Sequence, residues 1–290
     1  MRVAVLVPAA DYPLDWRPEF EGEAALLLAA GFEVEPVPWT EAGDLTGFDL
    51  VLSLLAWGYH LRYPEWLDFL QRCEIAHVPL INPPALLRWN SDKAYLAQLA
   101  EAGVATVPTL AVEQCCEEDL EEARRYFDCE RLVIKPAVSA TATGTYLLGP
   151  YDRLPGESRG RPMILQPFVE EIGTTGEFSL LLFDGELSHT VVKRPKPGEF
   201  RVQSYFGGIT LSSIAPPGAE ELALAALAAA PAKATYARVD IVPDDDGVLR
   251  IMELELIEPQ LFLDHTPDGG AIFSRSILSA ARRVLKQPLA

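Results

Sequence analysis

Histidine and cysteine are scarce in this chain, four of each in 290 residues, and neither is arranged to hold a metal. His60, His77, His189 and His265 lack any zinc-type spacing, so packing or surface roles are expected for them. Cys73, Cys115, Cys116 and Cys129 offer neither paired-ligand spacing nor a disulfide framework for a chain this long, which points to a reducing compartment. Positive charge is also in short supply: 24 Lys and Arg face 42 Asp and Glu, for a net charge of -18. That balance argues against nucleic acid or an anionic membrane as partner. The apolar opening, Met1 to Pro8, is too short for a signal peptide or a span and reads as a first buried strand, so a cytoplasmic location is expected. No G-x-S-x-G elbow, G-x-x-x-x-G-K-[ST] or G-x-G-x-x-G occurs, which removes the main support for serine-hydrolase, P-loop and dinucleotide readings.

The length exceeds what one core comfortably fills, so two or three lobes with clefts between them are expected. Residues 2–7, a helix over 19–30 stopped by Gly31 and a strand over 32–37 read as βαβ. A strand over 50–55, an aromatic loop (Trp57, Tyr59, His60, Tyr63), a helix over 65–74 and a short strand over 79–81 complete a small parallel sheet with helices on its faces. Asn82-Pro83-Pro84 reads as a rigid break. Asn90-Ser91-Asp92 then offers caps to a helix reaching Ala102. An acidic-then-basic helix over 117–127 matches the helix dipole, and its charge run needs only a solvated face. Short strands are expected at 132–135, 145–148 and 163–166, and a hairpin at 178–183 and 186–193 turning on Asp184-Gly185. A helix over 219–230, two strands flanking Asp245-Asp246-Gly247 and a helix over 270–286 close the chain.

Chemistry concentrates near the end. In a strand, residues two apart share a face, so Glu253 and Glu255 present two carboxylates together, and Asp240 on the preceding strand adds a third oxygen ligand for a hard cation such as Mg²⁺. Lys135 ends a strand and precedes a run of small and hydroxyl residues, Pro136 to Gly144, whose N–H and hydroxyl groups suit phosphate oxygens. Only one glycine lies in that run, fewer than phosphate-cradling loops usually carry. Four cations in nine residues, Lys193, Arg194, Lys196 and Arg201, make a positive island on a negative protein. Opposite the acids it would complete a site for phosphoryl transfer, in which charge neutralisation and positioning do most of the catalysis. The Trp57 to Tyr63 loop is either core or the wall of a substrate cleft.

The order of these parts resembles the ATP-grasp superfamily and, within it, the glutathione-synthetase-like ligases. The resemblance runs over nearly the whole chain: LINPPALLRWNSDKAYLAQLAEAGVATVPT from Leu80, LVIKPAVSATATGTYLL from Leu132, MILQPFVEEIGTTGEFSLLLFDGE from Met163, GEFRVQSYFGG from Gly198 and RVDIVPDDDGVLRIMELELIEP from Arg238. It implies an α/β chain with α+β lobes, an ATP-grasp fold behind an N-terminal Rossmann-like pre-ATP-grasp domain. The implied divisions are 1–90, a small central lobe with the phosphate loop over 91–168, and a C-terminal lobe with the metal site over 169–290. By the same resemblance Lys93, Lys135 and the loop residue Ser139 contact ATP phosphates. Gln166, Phe168 and Val169 line the adenine hinge, and Glu177 holds the ribose with Glu170 and Glu171 as rivals. Arg201 meets the γ-phosphate and acyl phosphate with Lys193 as a second cation, and Asp240, Glu253 and Glu255 bind the metal. Trp57 and Tyr59 lie where the N-terminal lobe would meet an amino-acid-like substrate. ATP and Mg²⁺, with Mn²⁺ as a substitute, are the implied cofactors; small molecules are the implied partners, and a homo-oligomer is compatible with the pattern.

Two departures stand out: Glu255 replaces the asparagine of many relatives, and the phosphate loop carries Ser, Thr and Ala in place of glycines. With WNSDKAYL, KPAVSATA and GEFRVQSYFGG they look most like the subgroup containing O-ureidoserine cyclo-ligase, the D-cycloserine-forming type. The implied activity is ATP-dependent formation of a C–N bond through an acyl phosphate. A kinase acting on a small-molecule hydroxyl and a non-catalytic nucleotide-binding module are the alternatives. The second would have lost acids or cations that this chain keeps.

Overall fold

The computed structural model describes residues 1–286. The first lobe carries β1 (Arg2–Val7), α1 (Arg17–Ala29), β2 (Glu33–Pro38), β3 (Leu50–Leu52), α2 (Tyr63–Ile75), β4 (Leu80–Ile81) and α3 (Pro84–Asn90). Its strands lie in the order β2-β1-β3-β4, all parallel. Val3 to Val7 and Leu50 to Leu52 are buried on both faces, which explains why they read as unbroken apolar runs rather than alternating ones. Gly31, at φ +88°, turns the chain off α1 in a conformation that other residues adopt at a cost.

The central segment carries α4 (Tyr95–Glu101), β5 (Leu110–Val112), α5 (Glu117–Phe127), β6 (Leu132–Pro136), β7 (Tyr146–Leu148) and β8 (Met163–Pro167), with an antiparallel sheet β5-β8-β6-β7. The third segment carries α6 (Glu171–Thr174), β9 (Glu177–Phe183), β10 (Glu186–Arg194), β11 (Ile209–Ser213), α7 (Ala219–Ala228), β12 (Tyr236–Pro243), β13 (Leu249–Glu255) and α8 (Ala271–Lys286). Its antiparallel sheet runs β11-β10-β9-β12-β13.

Some elements differ from expectation. The Pro83-Pro84 break is the start of α3, because proline is tolerated in a first helical turn, where its missing N–H has no partner to lose. The helix expected beyond Asn90-Ser91-Asp92 and reaching Ala102 is α4, whereas α3 before it was not anticipated. Of the three anticipated capping residues only Asp92 accepts from the turn that follows, from the Ala94 N–H at 2.9 Å, while the Ser91 hydroxyl donates back to the Leu87 carbonyl at 2.7 Å. Asn90 instead reaches across to β13, accepting from the Leu256 N–H and donating to the Leu254 carbonyl, both at 2.9 Å. The strands β5 and β11 were not anticipated: β5 is three residues long, and the apolar residues of β11, Ile209 and Leu211, are exposed rather than facing a core. At the start of α5, Asp119 accepts from the Cys116 N–H at 2.7 Å.

The lobes are locked by buried polar bonds as well as apolar packing. Asn82, fully buried, donates to the Tyr236 and Leu256 carbonyls (3.0 and 2.9 Å) and accepts from the Thr235 N–H at 2.7 Å. The Tyr236 hydroxyl bonds Ser53 and the Ile81 carbonyl. Around this seam Val3, Leu27 and Leu50 of the first lobe pack with Leu181, Phe183, Tyr236 and Phe273 of the third. On the other side Tyr95, Leu96 and Leu99 of α4 pack against Ala219, Ala223 and Ala226 of α7 and against Val239, Ile251 and Leu254. The strand that carries the acids is therefore gripped from two sides.

Candidate active site

Strand register assembles the site. Lys193 of β10 pairs with Glu177 of β9, Ser179 of β9 with Asp240 of β12, Asp240 with Glu253 of β13, and Arg238 with Glu255. Side chains alternate along each strand, so one face of four adjacent strands carries a row of opposite charges. The Lys193 ammonium lies 2.5 Å from Glu177 and 3.3 Å from Asp240. Arg238 holds Asp240 through Nε and Nη2, each at 3.0 Å, and also pairs with Glu255. Ser179 donates to Asp240 at 2.5 Å. Lys93, from the turn between α3 and α4, reaches Glu253 at 3.0 Å and the Ser139 carbonyl at 2.5 Å.

Burial sharpens these charges. Burial alone would raise Asp240, but Arg238 and Lys193 hold its carboxyl well below the usual range. Glu253 is lowered in the same way, with Lys93 and Lys135 overcoming the burial. Glu255 behaves differently: burial, with Asp240 and Glu253 nearby, pushes it up to about 7 although Arg238 opposes. Burial lowers the Lys135 ammonium against the pull of Glu253. Lys135 is thus part of the same charged cluster.

Other expected residues fall around this row. The Ser139 hydroxyl closes on the Pro136 carbonyl at 3.0 Å, leaving its own carbonyl for Lys93. Gln166 is buried and donates to Thr109 at 2.9 Å. Phe168 lies 4.6 Å below the Arg131 guanidinium, and Val169 joins Val107, Ile172, Val202 and Val242, with Met252 against them, in an apolar wall beside the row. Glu177 is ion-paired to Lys193, whereas Glu171 accepts from the Thr174 and Thr175 hydroxyls and Glu170 pairs with Arg131. Tyr59 is buried; after burial itself, the charges of Glu258, Glu253 and Glu255 do most to raise its hydroxyl, which places it over the acids. The Trp57 ring lies 6.2 Å from the Tyr12 ring.

The positive island does not arrive whole. Lys193 is in the row, but Arg201 is not: its guanidinium is bidentate on Glu199 (3.0 and 2.8 Å) and lies 3.6 Å from the Phe206 ring centre. The cations that most perturb the three acids are Arg238, Lys193, Lys93 and Lys135. The expected place of Arg201 opposite the acids is corrected to Arg238, which sequence reasoning passed over. Its signal was available, since Arg238 lies two residues before Asp240 on one strand and must share its face. Glu258 was also missed, and no periodic pattern marks it because it follows the end of β13. His60 was read as a packed residue; burial and Lys93 lower its imidazole to about 4, and its Nδ1 is buried without a partner among the described residues. Cys73, Cys115, Cys116 and Cys129 are free thiols.

The match with known proteins is extensive. The family description "D-cycloserine synthetase DcsG, N-terminal domain" fits residues 4–82. The chain is 30% identical to the cycloserine biosynthesis protein DcsG of Streptomyces lavendulae, over 95% of this chain and 97% of that protein. This chain belongs to the DcsG family. Its structure superimposes on the crystal structure of D-cycloserine synthetase DcsG with a TM-score of 0.82 at 29% identity, covering 98% of this chain and 100% of that one. The D-alanine–D-alanine ligase of Bacillus anthracis, solved with ATP, shares the fold at a TM-score of 0.72 and 20% identity, with 99% of each chain covered. A glutathione synthetase of Parasynechococcus marenigrum (strain WH8102) is 29% identical over 62% of this chain and 60% of that protein. The DcsG-family chain has the ATP-grasp fold and is an ATP-dependent ligase that forms a C–N bond. Among the described residues no helix is long and apolar enough to cross a membrane.

Proposed function

We propose that this ligase activates the carboxylate of a small amino-acid-like substrate as an acyl phosphate and closes a ring when a nitrogen of the same molecule attacks it, with O-ureidoserine as the substrate class. The observation that carries this reading is the row Lys193, Asp240, Arg238, Glu253 and Glu255, closed by Lys93 and Lys135 at the junction of the segments 1–90, 91–168 and 169–290.

The donor set suits the implied cation. Asp240, Glu253 and Glu255 offer only oxygen, as Mg²⁺ or Mn²⁺ requires. Among the described residues no three acids are gathered tightly enough to hold an ion by themselves, because each is turned to a cation of the protein. That arrangement fits a metal shared with a triphosphate, which would draw the lysines and Arg238 off the acids. A metal held by Asp240, Glu253 and Glu255 would supply neutralisation of phosphate charge.

The protein's own residues divide the rest of the work. Lys93 and Lys135, with the Ser139 loop, hold phosphate oxygens. Gln166, Phe168 and Val169, with the apolar wall around Val202 and Met252, take the adenine, and Glu177 at the head of β9 takes the ribose. Arg238, placed by the register of β12 beside Asp240, faces the charge that develops as a carboxylate oxygen bonds to the γ-phosphorus and ADP leaves; Lys193 supports it. The nitrogen then attacks the carbonyl carbon and phosphate departs with the former carboxylate oxygen. Trp57 and Tyr59 cover the substrate and keep water from the acyl phosphate. Arg201 stays on its Glu199 pair beside the adenine wall.

The test is turnover of O-ureidoserine labelled with ¹⁸O in its carboxylate. The expected result is one ADP and one inorganic phosphate per ring closed, with one ¹⁸O carried into the phosphate. A phosphorylated product with no free phosphate would establish the kinase alternative instead.

A further inference from the structure

The segment leaving β13 is pinned from both sides. The Leu256 N–H and carbonyl are held by Asn90 and Asn82, and the Ile257 carbonyl accepts from Ser53 at 2.8 Å. The next residue, Glu258, therefore has a fixed origin three positions beyond Glu255, within about 10 Å of chain. Its carboxylate is half-buried and, among the described residues, receives no hydrogen bond or ion pair. The charged groups around it are Glu255, Arg238, Lys93 and Glu253, and its own charge bears on the Tyr12 and Tyr59 hydroxyls of the first lobe. Burial and Glu255 push its carboxyl up to about 8, as expected of an acid that lacks a counter-ion.

The other acids of the site each have a cation. Glu253 has Lys93, Glu177 has Lys193, and Asp240 and Glu255 share Arg238. Glu258 has none among the described residues, and on the first-lobe side its charge reaches the wall that carries the Tyr12 and Tyr59 hydroxyls. This wall is built with care: a Cβ on Gly58, whose φ is +83°, would come within 2.9 Å of the Tyr12 ring. An unpaired carboxylate near tyrosine hydroxyls is a cation-binding arrangement, because the charge attracts an ammonium and the oxygens can accept its N–H groups.

Resting on the function proposed above, we infer that Glu258 binds the free α-ammonium of the substrate, so that the enzyme selects an unmodified α-amino acid over a carboxylic acid without the amino group. In an α-amino acid the nitrogen is one carbon away from the carboxylate, so the group that grips it must lie next to the phosphoryl-transfer centre. Glu258 does. The bound ammonium supplies the counter-charge the protein withholds, and it orients the carboxylate toward Arg238 and the γ-phosphate.

The experiment is steady-state ADP release by the wild type, E258Q and E258D with Mg-ATP and either O-ureidoserine or its deamino counterpart, 3-(ureidooxy)propanoate. The wild type is expected to prefer O-ureidoserine in kcat/KM by at least about tenfold. E258Q is expected to raise KM for O-ureidoserine at least about tenfold, to leave KM for ATP within about twofold, and to lose the preference, while E258D recovers part of it. A wild type indifferent to the amino group overturns the inference without recourse to any variant, and so does an E258Q enzyme that keeps the preference. Absence of ADP release by the wild type with either carboxylate overturns the substrate reading itself, and this inference with it.

Discussion

Arg238→Met is the perturbation that probes the site most directly. Arg238 is 7% exposed and serves two carboxylates at once, Asp240 and Glu255. Its removal leaves Asp240 to Lys193 and Ser179, and leaves Glu255 without a partner. Losing one member of a buried ion pair costs about 3–5 kcal/mol. At roughly 2 °C per kcal/mol for a chain of this size, Tm should fall by about 6–10 °C. The loss should also depend on pH. Glu255 is raised to about 7 in the folded protein, so the native state holds a proton that the unfolded chain gives up, and this group's contribution to stability is lost as pH rises toward 7. Without Arg238 the folded value climbs further, and the loss continues above pH 7 in the variant after it has ended in the wild type. One unit of such a shift is worth about 1.4 kcal/mol. With the Glu255 side chain 31% exposed, roughly half of that survives screening. The gap in Tm should therefore widen by about 1–2 °C between pH 6.5 and pH 8.5. The assay is scanning calorimetry of both proteins, free of nucleotide and in EDTA, paired with turnover, for which a fall in kcat of about 10²–10³-fold is expected. A variant with wild-type Tm at both pH values, or with unchanged kcat, would refute the arrangement argued here.

Other outcomes are equally specific. Glu253→Gln should abolish turnover while retaining measurable ATP binding by calorimetry, because the hinge at Gln166 to Val169 is untouched; full activity would remove Glu253 from the site. Lys135→Ala should weaken ATP binding by about tenfold or more, and an unchanged dissociation constant would place the phosphate loop elsewhere. Asn82→Ala leaves three buried backbone groups unpaired at the lobe seam and should cost about 3 kcal/mol or more by denaturant titration. Gly58→Ala, strained at φ +83° and crowding Tyr12, should raise KM for the amino-acid substrate more than KM for ATP.

Much of the fold was legible because its signals are local. Val3 to Val7 and Leu50 to Leu52 are buried on both faces, and such strands leave continuous apolar runs. Asp184-Gly185 and Asp245-Asp246-Gly247 announce hairpins because positive φ demands such residues. The acids were legible for a similar reason, since period two forces Glu253 and Glu255 onto one face. What stayed hidden depends on partners distant in sequence. Asn90 reads as a helix cap but spends its amide on β13, some 165 residues away, and Pro84 reads as a break although it opens a helix.

The sequence by itself determined which residue types were present in which order: acids on paired strands, a lysine before a small-residue loop, a cluster of cations near residue 200, and the family those parts resemble. Only the tertiary structure decided which cation meets which acid. Strand register set Arg238 against Asp240 and Glu255, Arg201 turned to Glu199, and Glu258 was left without an ion-pair partner among the described residues. Coulomb energy depends on distance and burial, and neither is written in the spacing of residues along a chain.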